Sequence, residues 1–334
     1  MSAAQSTVKE ETAQESTPHE PDFFELRVVK KEAIAQAIYM FELRQTDDAP
    51  LPPFTPGAHL TVQVPSGVRR NYSLCSNASD TRMYQIAVKR DAAGRGGSIS
   101  MADDVQVGQL LSVSVPRNNF ELAKQTGDSI FIAGGIGITP IMSMLRHLKA
   151  TGAGNYKLFY CTRDAGSTAF LEQINAEFGE KVQLHHDHGD MNQALDLWPV
   201  FEKPTNTHVY CCGPKGLMDS VADMSGHWPS GSVHFESFGV DASVYAENQP
   251  FRVRLAKSGT ALEVTSEQTI LEALRAHGVR VPSSCESGTC GSCKTRLLAG
   301  DVEHRDMVLN DDEKDSHIMV CVSRAKSLEL VLDL

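Results

Sequence analysis

Four cysteines near the end of the chain are spaced for one kind of chemistry. Four residues separate Cys285 from Cys290, two separate Cys290 from Cys293, and 27 lie between Cys293 and Cys321. Two tetrahedral irons bridged by two sulfides need four thiolates converging on one small volume, so most of the ligands must come from one tight loop. Four-then-two spacing with a distant fourth cysteine is the plant-type pattern for such a [2Fe-2S] centre. Gly288 and Gly291, with the small Ser287, Thr289 and Ser292, let that loop curl closely and aim N–H groups at sulfur. A structural zinc site also uses four thiolates, but its knuckles have paired short spacings. Of the other cysteines, Cys75, Cys161 and Cys211 lie in or beside strand-like runs and read as small buried hydrophobes. Cys212 is placed differently. In CCGP (211–214) a strand ends, a Gly-Pro turn follows and a helix begins, which puts Cys212 at the carboxyl edge of a sheet, where open α/β domains bind ligands; a buried edge cysteine is the alternative.

Three further stretches suit phosphate. GGIGITP (134–140) falls where a first parallel strand should turn into its helix, so backbone amides could approach a pyrophosphate there, although Pro140 replaces the third glycine of G-x-G-x-x-G. Thr139 and Pro140 read as the N-cap and first-turn residue of that helix. RNYS (70–73) and GRGGS (94–98) each offer an arginine's planar donor fork, and in the second Gly96 and Gly97 allow amides to crowd an anion. Alone, each reads more readily as an ordinary turn. HHDHGD (185–190) does not read as a metal site, since neighbours in a strand alternate in direction. Asp187, at a strand end, is better placed near a ribose.

These residues need elements to position them. From Phe23 to about Leu122, short alternating runs such as HLTVQV (59–64), YQIAV (84–88) and LLSVSV (110–115), separated by Pro and Gly turns, predict a small antiparallel β-barrel. From residue 123 to about Glu236 the texture becomes strand, helix, strand, helix: SIFIA, PIMSMLRHLKA, KLFYCT and STAFLEQINAEF, then VQLHHD, HVYCC and KGLMDSVADM. That predicts a parallel sheet wrapped by helices. Residues 237–250 read as a linker. Residues 251–334 open with a hairpin around Ser258-Gly259, continue into a helix at QTILEALRAHG and then enter the cysteine loop. Residues 1–22, rich in Ser, Thr, Glu and Ala, cannot repay the entropy of ordering and are expected to be disordered.

Composition narrows the function. Thirty-one basic against 42 acidic side chains give a net charge of -11, which repels polyphosphate and argues against nucleic-acid binding. No apolar run approaches bilayer length and no secretory leader is visible, so a soluble, cytoplasmic chain with reduced thiols is expected.

In order, RNYSLCS, AVKRD, GRGGS, GGIGITP, CCGP, HFESFG and CESGTCGSC resemble the phthalate dioxygenase reductase family, within the larger ferredoxin-NADP reductase-like superfamily. The resemblance runs from about Phe23 to Leu334. It implies an FMN barrel, a central NADH domain and a C-terminal plant-type ferredoxin domain of β-grasp type. Arg70, Tyr72 and Ser73 would bind the flavin phosphate and ring, Gly96, Gly97 and Ser98 would clasp the phosphate, and Ala87, Val88 and Lys89 would line the flavin. Gly135, Thr139 and Pro140 would face NADH, with Cys212 and Gly213 near the nicotinamide. Phe238 would shield the flavin ring, although Phe235, three residues away, could hold that region as core instead. The resemblance favours NADH over NADPH, with Arg163 as a possible phosphate partner that leaves the alternative open.

NADH releases two electrons as one hydride, whereas an iron–sulfur centre accepts one, so a flavin between them is required. The expected sequence is hydride transfer from nicotinamide C4 to flavin N5, then two single-electron steps through a cluster held by Cys285, Cys290, Cys293 and Cys321. No side chain need act as acid or base; orientation is the catalytic device. The resemblance further implies a monomer that transiently reduces a Rieske-type terminal oxygenase. The rival readings are a reductase serving another mono-oxygenase or demethylase, and a zinc-stabilised nucleotide-binding or redox-sensing module.

Overall fold

The structure, a computed structural model, describes residues 23–94, 96–123, 127–229, 231–238 and 248–334. The expected disordered tail, Arg95 and residues 239–247 of the expected linker lie outside the described residues. No helix among the described residues is long and apolar enough to cross a membrane.

The first unit contains β1 (Phe23–Ala35), β2 (Ile38–Arg44), β3 (His59–Gln63), β4 (Arg69–Ser73), β5 (Tyr84–Lys89), helix α1 (Gly97–Asp104) and β6 (Leu110–Ser114). The six strands pair antiparallel in the order β4-β3-β6-β1-β2-β5. Successive strand side chains point to opposite faces, so Leu60 and Val62, Ile86 and Val88, and Leu111 and Val113 enter one core. Leu74, just past β4, bridges Ile86 of β5, and this joins the two ends of the sheet into the expected barrel. On the other face, Ile38, Met40 and Ala87 pack with Phe131, Ile138 and Met142 of the next unit.

That unit runs β7 (Ser129–Gly134), α2 (Ile138–Thr151), β8 (Tyr156–Thr162), α3 (Leu171–Phe178), β9 (Val182–His186), α4 (Trp198–Phe201), β10 (His208–Cys212), α5 (Lys215–Ser225) and β11 (Val233–Glu236). All neighbours are parallel, in the order β11-β10-β7-β8-β9. Because the chain leaves β7 toward β8 on one side and returns to β10 on the other, the topological switch point lies between β7 and β10. Two local expectations are corrected. Thr139 is not the N-cap of α2: a 3-10 turn at Gly135–Gly137 carries the chain in, Gly137 is the cap, and Thr139 and Pro140 lie in the first turn. Proline is harmless there because first-turn N–H groups have no helical partner, and Thr139 Oγ1 instead donates to the Ile136 carbonyl at 3.0 Å. The helix expected over STAFLEQINAEF spans only its last eight residues. Asp164 and Ser167 close a capping box of their own, and buried Phe170 takes a left-handed φ of 59°, so α3 restarts at Leu171.

The third unit contains β12 (Phe251–Leu255), β13 (Ala261–Val264), α6 (Ile270–Ala276), β14 (Lys294–Ala299), β15 (Val302–Glu303), α7 (Asp311–Lys314), β16 (His317–Met319), β17 (Arg324–Ala325) and β18 (Glu329–Leu332). The main sheet, β13-β12-β18-β14-β16, is antiparallel except where β12 runs parallel to β18. The predicted hairpin turns at Gly259, whose φ is +72°. Thr269 and Glu272 form a capping box that starts α6, whose buried Ile270, Leu271, Ala273 and Leu274 share one core with Cys293 and Cys321. A helix laid on a mixed sheet is the β-grasp arrangement.

One packed column in the second unit makes stability depend on pH. The His234 ring stacks on Tyr210 at 4.7 Å and on His208 at 5.2 Å, with 3.0 Å between His234 Nε2 and His208 Nδ1. Burial, then the neighbouring His208, lowers His234 to about 4. The folded form therefore disfavours the proton: this contribution is intact above the unfolded value near 6.5 and is lost as pH falls from there toward 4. Discounted for partial exposure, the loss at pH 5 is about 1 kcal/mol. The calorimetric midpoint should fall between pH 7 and pH 5, and less steeply for His234→Phe; equal slopes would rule the column out as the cause.

Candidate functional site

The barrel motifs meet at one end of the closed sheet. RNYS is β4 itself, paired with β3 so that Arg70 lies opposite Val62, Tyr72 opposite Leu60 and Ser73 opposite His59. Arg70 reaches across to the start of α1: a Cβ added at Gly97 would stand 2.7 Å from its Nε. Gly96, the N-cap of α1, has a left-handed φ of 80° and offers no side-chain cap, which leaves first-turn N–H groups to find another acceptor. Ser98 Oγ accepts the Asp91 N–H at 3.1 Å and closes the loop around them. Among the described residues the Tyr72 hydroxyl is buried without a partner, and burial pushes it up to about 12, against the pull of Arg70. A buried hydroxyl the protein leaves unsatisfied calls for a group the chain does not itself provide. On β5, Ala87 faces the joint with the second unit, Val88 points into the barrel core and Lys89 is exposed, so a molecule lying there would meet the Ala87 side chain and the strand's backbone.

At the carboxyl ends of β7 and β10, two turns that are far apart in sequence pack backbone to backbone. A Cβ on Gly137 would lie 2.1 Å from the Cys212 carbonyl oxygen, one on Gly134 2.5 Å from Pro214 Cδ, and one on Gly213 3.0 Å from Gly134 Cα. GGIG and CCGP thus form a single feature at the switch point, where ligands of open α/β sheets bind. Gly135 has a φ of +52° and open space where a side chain would be. Thr139 and Pro140 are buried behind this turn. Cys212 is fully buried, and burial raises its thiol far above the ordinary value, which keeps it neutral. Asp187 and Arg163 follow the ends of β9 and β8, where the Asp187 N–H donates to Thr162 and the His188 N–H to the Arg163 carbonyl. His185 and His186 are engaged with the Gln193 carbonyl and the Thr168 hydroxyl.

The barrel motifs and the switch-point turns meet through Glu236, the acid of HFESFG. It pairs with Cys212 across β10 and β11, and its Oε2 accepts from Ser73 Oγ at 3.3 Å. Burial first, and then nearby Cys285, raise its carboxyl to about 8 against the Ser73 hydrogen bond, so the acid is mostly protonated at neutral pH and the joint stays uncharged. An acid closing the strand VHFE was the available signal. Phe235 is partly buried against the second unit's core, whereas Phe238 is 49% exposed; core duty falls to the former and leaves the latter's ring uncovered.

The cysteine loop comes to the same place. Its thiols meet as two pairs, Cys285 with Cys290 and Cys293 with Cys321. In each pair a neighbouring thiol holds one member below its ordinary value: Cys290 does so for Cys285, and Cys321 for Cys293. Backbone N–H groups already point at sulfur, from Ser287 to Cys285 and from Cys285 to Cys290, both at 3.5 Å. Gly288, at φ +78°, is pressed against Val322 and Asp306, where a Cβ would come within 2.7 Å and 3.2 Å. Among the described residues no three ligating side chains gather on one point. Together the two pairs supply the four thiolates that a two-iron centre needs, three of them from one tight loop. Ser287 Oγ donates to the Ser237 carbonyl at 2.9 Å and Asn119 Nδ2 to Ser284 Oγ at 2.6 Å, so the loop touches both other units.

Comparison with known proteins follows the same division. Residues 25–122 match the oxidoreductase FAD-binding domain, 131–223 the oxidoreductase NAD-binding domain and 253–326 the 2Fe-2S iron-sulfur cluster binding domain. The chain is 59% identical over 314 residues to the phthalate 4,5-dioxygenase oxygenase reductase subunit of Pseudomonas putida, covering 93% of this chain and 97% of that one. It is 57% identical over 321 residues to phthalate dioxygenase reductase of Burkholderia cepacia, covering 96% and 100%. A solved phthalate dioxygenase reductase, described as a modular structure for electron transfer from pyridine nucleotides to [2Fe-2S], superposes with a TM-score of 0.73 at 57% identity, covering 93% of this chain and 98% of that one. With three matched domains in this order and such identity over nearly the whole of both chains, this protein belongs to the phthalate dioxygenase reductase family of flavin- and iron–sulfur-dependent oxidoreductases.

Proposed function

We propose that this chain is the NADH-dependent reductase of a phthalate-type aromatic-ring dioxygenase system, with FMN as its flavin, a monomer in the cytoplasm that passes single electrons to a Rieske-type terminal oxygenase. The observation that carries this reading is the meeting of three units at Ser73, Glu236 and the Cys285 loop, because a reductase of this kind must bring its nucleotide, flavin and cluster seats within electron-transfer reach. When bound, flavin supplies an acceptor for a hydride that can release its electrons singly, and the cluster supplies a one-electron carrier.

The chain's own residues position these groups. Arg70 above Gly97 suits a terminal phosphate at the α1 N-terminus. After α1, β6 begins within a few residues, and this short return supports the shorter flavin. Orphaned Tyr72 is available to a polar ring edge, and exposed Phe238 to a ring face. The touching turns at Gly137 and Cys212 would seat the nicotinamide half of NADH beside Ser73, with Gly135 open to the pyrophosphate. Neutral Glu236 and Cys212 keep that surface free of charge, so the net negative charge of hydride meets no fixed anion there.

The test is an anaerobic visible spectrum of the purified protein before and after NADH, with mass analysis of the released flavin. Flavin bands over an iron–sulfur background, both bleached by NADH, and a released mass equal to FMN are the expected result. A colourless zinc protein, or a flavin that NADH does not bleach, would reject the reading; a released FAD would reject the FMN assignment alone. Oxygenase choice is read separately, by mixing the reduced protein with purified phthalate-type and demethylase-type oxygenase components.

A further inference from the structure

We propose that Asn119 and Ser284 are positioning residues that hold the cysteine loop against the barrel and thereby set the flavin-to-cluster gap; this rests on the electron route proposed above. Ser284 immediately precedes Cys285, and its hydroxyl accepts from Asn119 Nδ2 at 2.6 Å. Asn119 belongs to the strap that leaves the barrel after β6. That strap is tied to the flavin seat: Arg117 and His59 exchange both backbone hydrogen bonds, at 2.8 and 3.0 Å, and His59 is the register partner of Ser73.

The strap is rigid where it presents Asn119. The Asn118 amide donates to Thr55 Oγ1 at 2.7 Å and to the Pro56 carbonyl at 2.9 Å, while its Oδ1 accepts the Phe120 N–H at 2.9 Å. Phe120 is buried in the joint between the first two units, and its carbonyl lies so close to Gly57 that an added Cβ would be 2.0 Å away. The backbone of Asn119 is therefore fixed on both sides, by the side chain before it and the ring after it, so that its side chain is presented to Ser284 from a set position. The loop's other ties run to the nucleotide sheet: Ser287 bonds to Ser237, and Met307, whose N–H donates to Gly288 at 3.0 Å, packs against that sheet's core. Those ties can hold the third unit in place without fixing Cys285 relative to the barrel. The Asn119 bond acts next to the cysteine and from the flavin side.

Single-electron transfer falls steeply with distance, while hydride transfer between nicotinamide and flavin does not involve this contact. The test uses the full-length holoprotein in anaerobic stopped flow with NADH, comparing wild type with Asn119→Ala, Ser284→Ala and the double variant. Expected are an unchanged rate of flavin bleaching by NADH and a cluster reduction slowed about tenfold in each single variant, with no further slowing in the double. Amide exchange over residues 283–287 should quicken, while the electron paramagnetic resonance spectrum of the dithionite-reduced cluster stays the same. Cluster reduction at the wild-type rate in both single variants, a hydride step slowed in parallel, or additive effects in the double variant would each overturn the inference. Wild-type protein whose cluster NADH never reduces would instead overturn the electron route, and this proposal with it.

Discussion

Cys290→Ser is expected to leave a protein that NADH still bleaches in its flavin bands but that reduces a one-electron acceptor about a hundredfold more slowly or worse. The division follows from where each step is housed. The residues that would seat NADH and flavin lie on β4, β7, β10 and β11 and on the turns after them, whereas Cys290 lies in the loop between α6 and β14 and belongs to none of those strands. Cys290 is also a sparing site for this test. It is only partly buried, while Cys293 and Cys321 are 3% and 2% exposed and belong to the core of their unit, where a polar substitution would damage packing as well as ligation. The measurement is a paired one: the anaerobic spectrum with NADH, and the steady-state rate with a purified oxygenase or a small one-electron acceptor. Loss of flavin bleaching together with cluster loss would mean that the units do not fold independently of the metal. Undiminished acceptor reduction would mean that electrons bypass the cysteine loop.

Gly137→Ala should act on the opposite half of the route. The added methyl would begin 2.1 Å from the Cys212 carbonyl oxygen and 2.9 Å from the Gly213 nitrogen, so the two turns at the switch point must separate. Backbone cannot yield as a side-chain tip does; a cost of about 3 kcal/mol in stability follows from overpacking of this kind. The separation also moves the surface on which the nicotinamide would lie, and NADH affinity should fall by about tenfold or more. Retained flavin, a lowered melting temperature and a raised NADH dissociation constant together constitute the expected result. Gly135→Ala supplies the contrast: nothing stands near its missing side chain, but its φ of +52° penalises alanine, so it should lose stability without the turns being forced apart. Equal NADH affinity in both variants and the wild type would dissociate the switch-point turns from nucleotide binding.

Much of this was legible in the chain itself, for reasons that differ from one residue set to another. The cysteine spacing could be read directly because a two-iron centre needs several ligands from one loop, and a constraint local in space is local in sequence. Strands such as HLTVQ and YQIAVK were legible because every second residue enters the barrel core, Leu60 and Val62 in the first and Tyr84, Ile86 and Val88 in the second. The parallel sheet was legible because apolar runs alternate with helical periods. Recognition of seven motifs in one order pointed to the family to which the chain belongs, which no single glycine-rich turn could carry.

Other features required the folded chain. Thr139-Pro140 looked like a helix start, yet a 3-10 turn drawn in by the close packing of Gly137 on Cys212 begins the helix earlier. Phe170 broke a helix that its neighbours' propensity favours, because burying its ring at a left-handed φ serves the core better than one more helical turn. Glu236 and Asn119 gave little sign of their partners, since Ser73 lies 163 residues from the first and Ser284 165 residues from the second. Sequence determines what each short segment can be, through period, turn chemistry and ligand spacing. Which side chains from separate units end within hydrogen-bond reach is decided by packing of whole sheets, and that depends on every buried residue at once rather than on any local pattern.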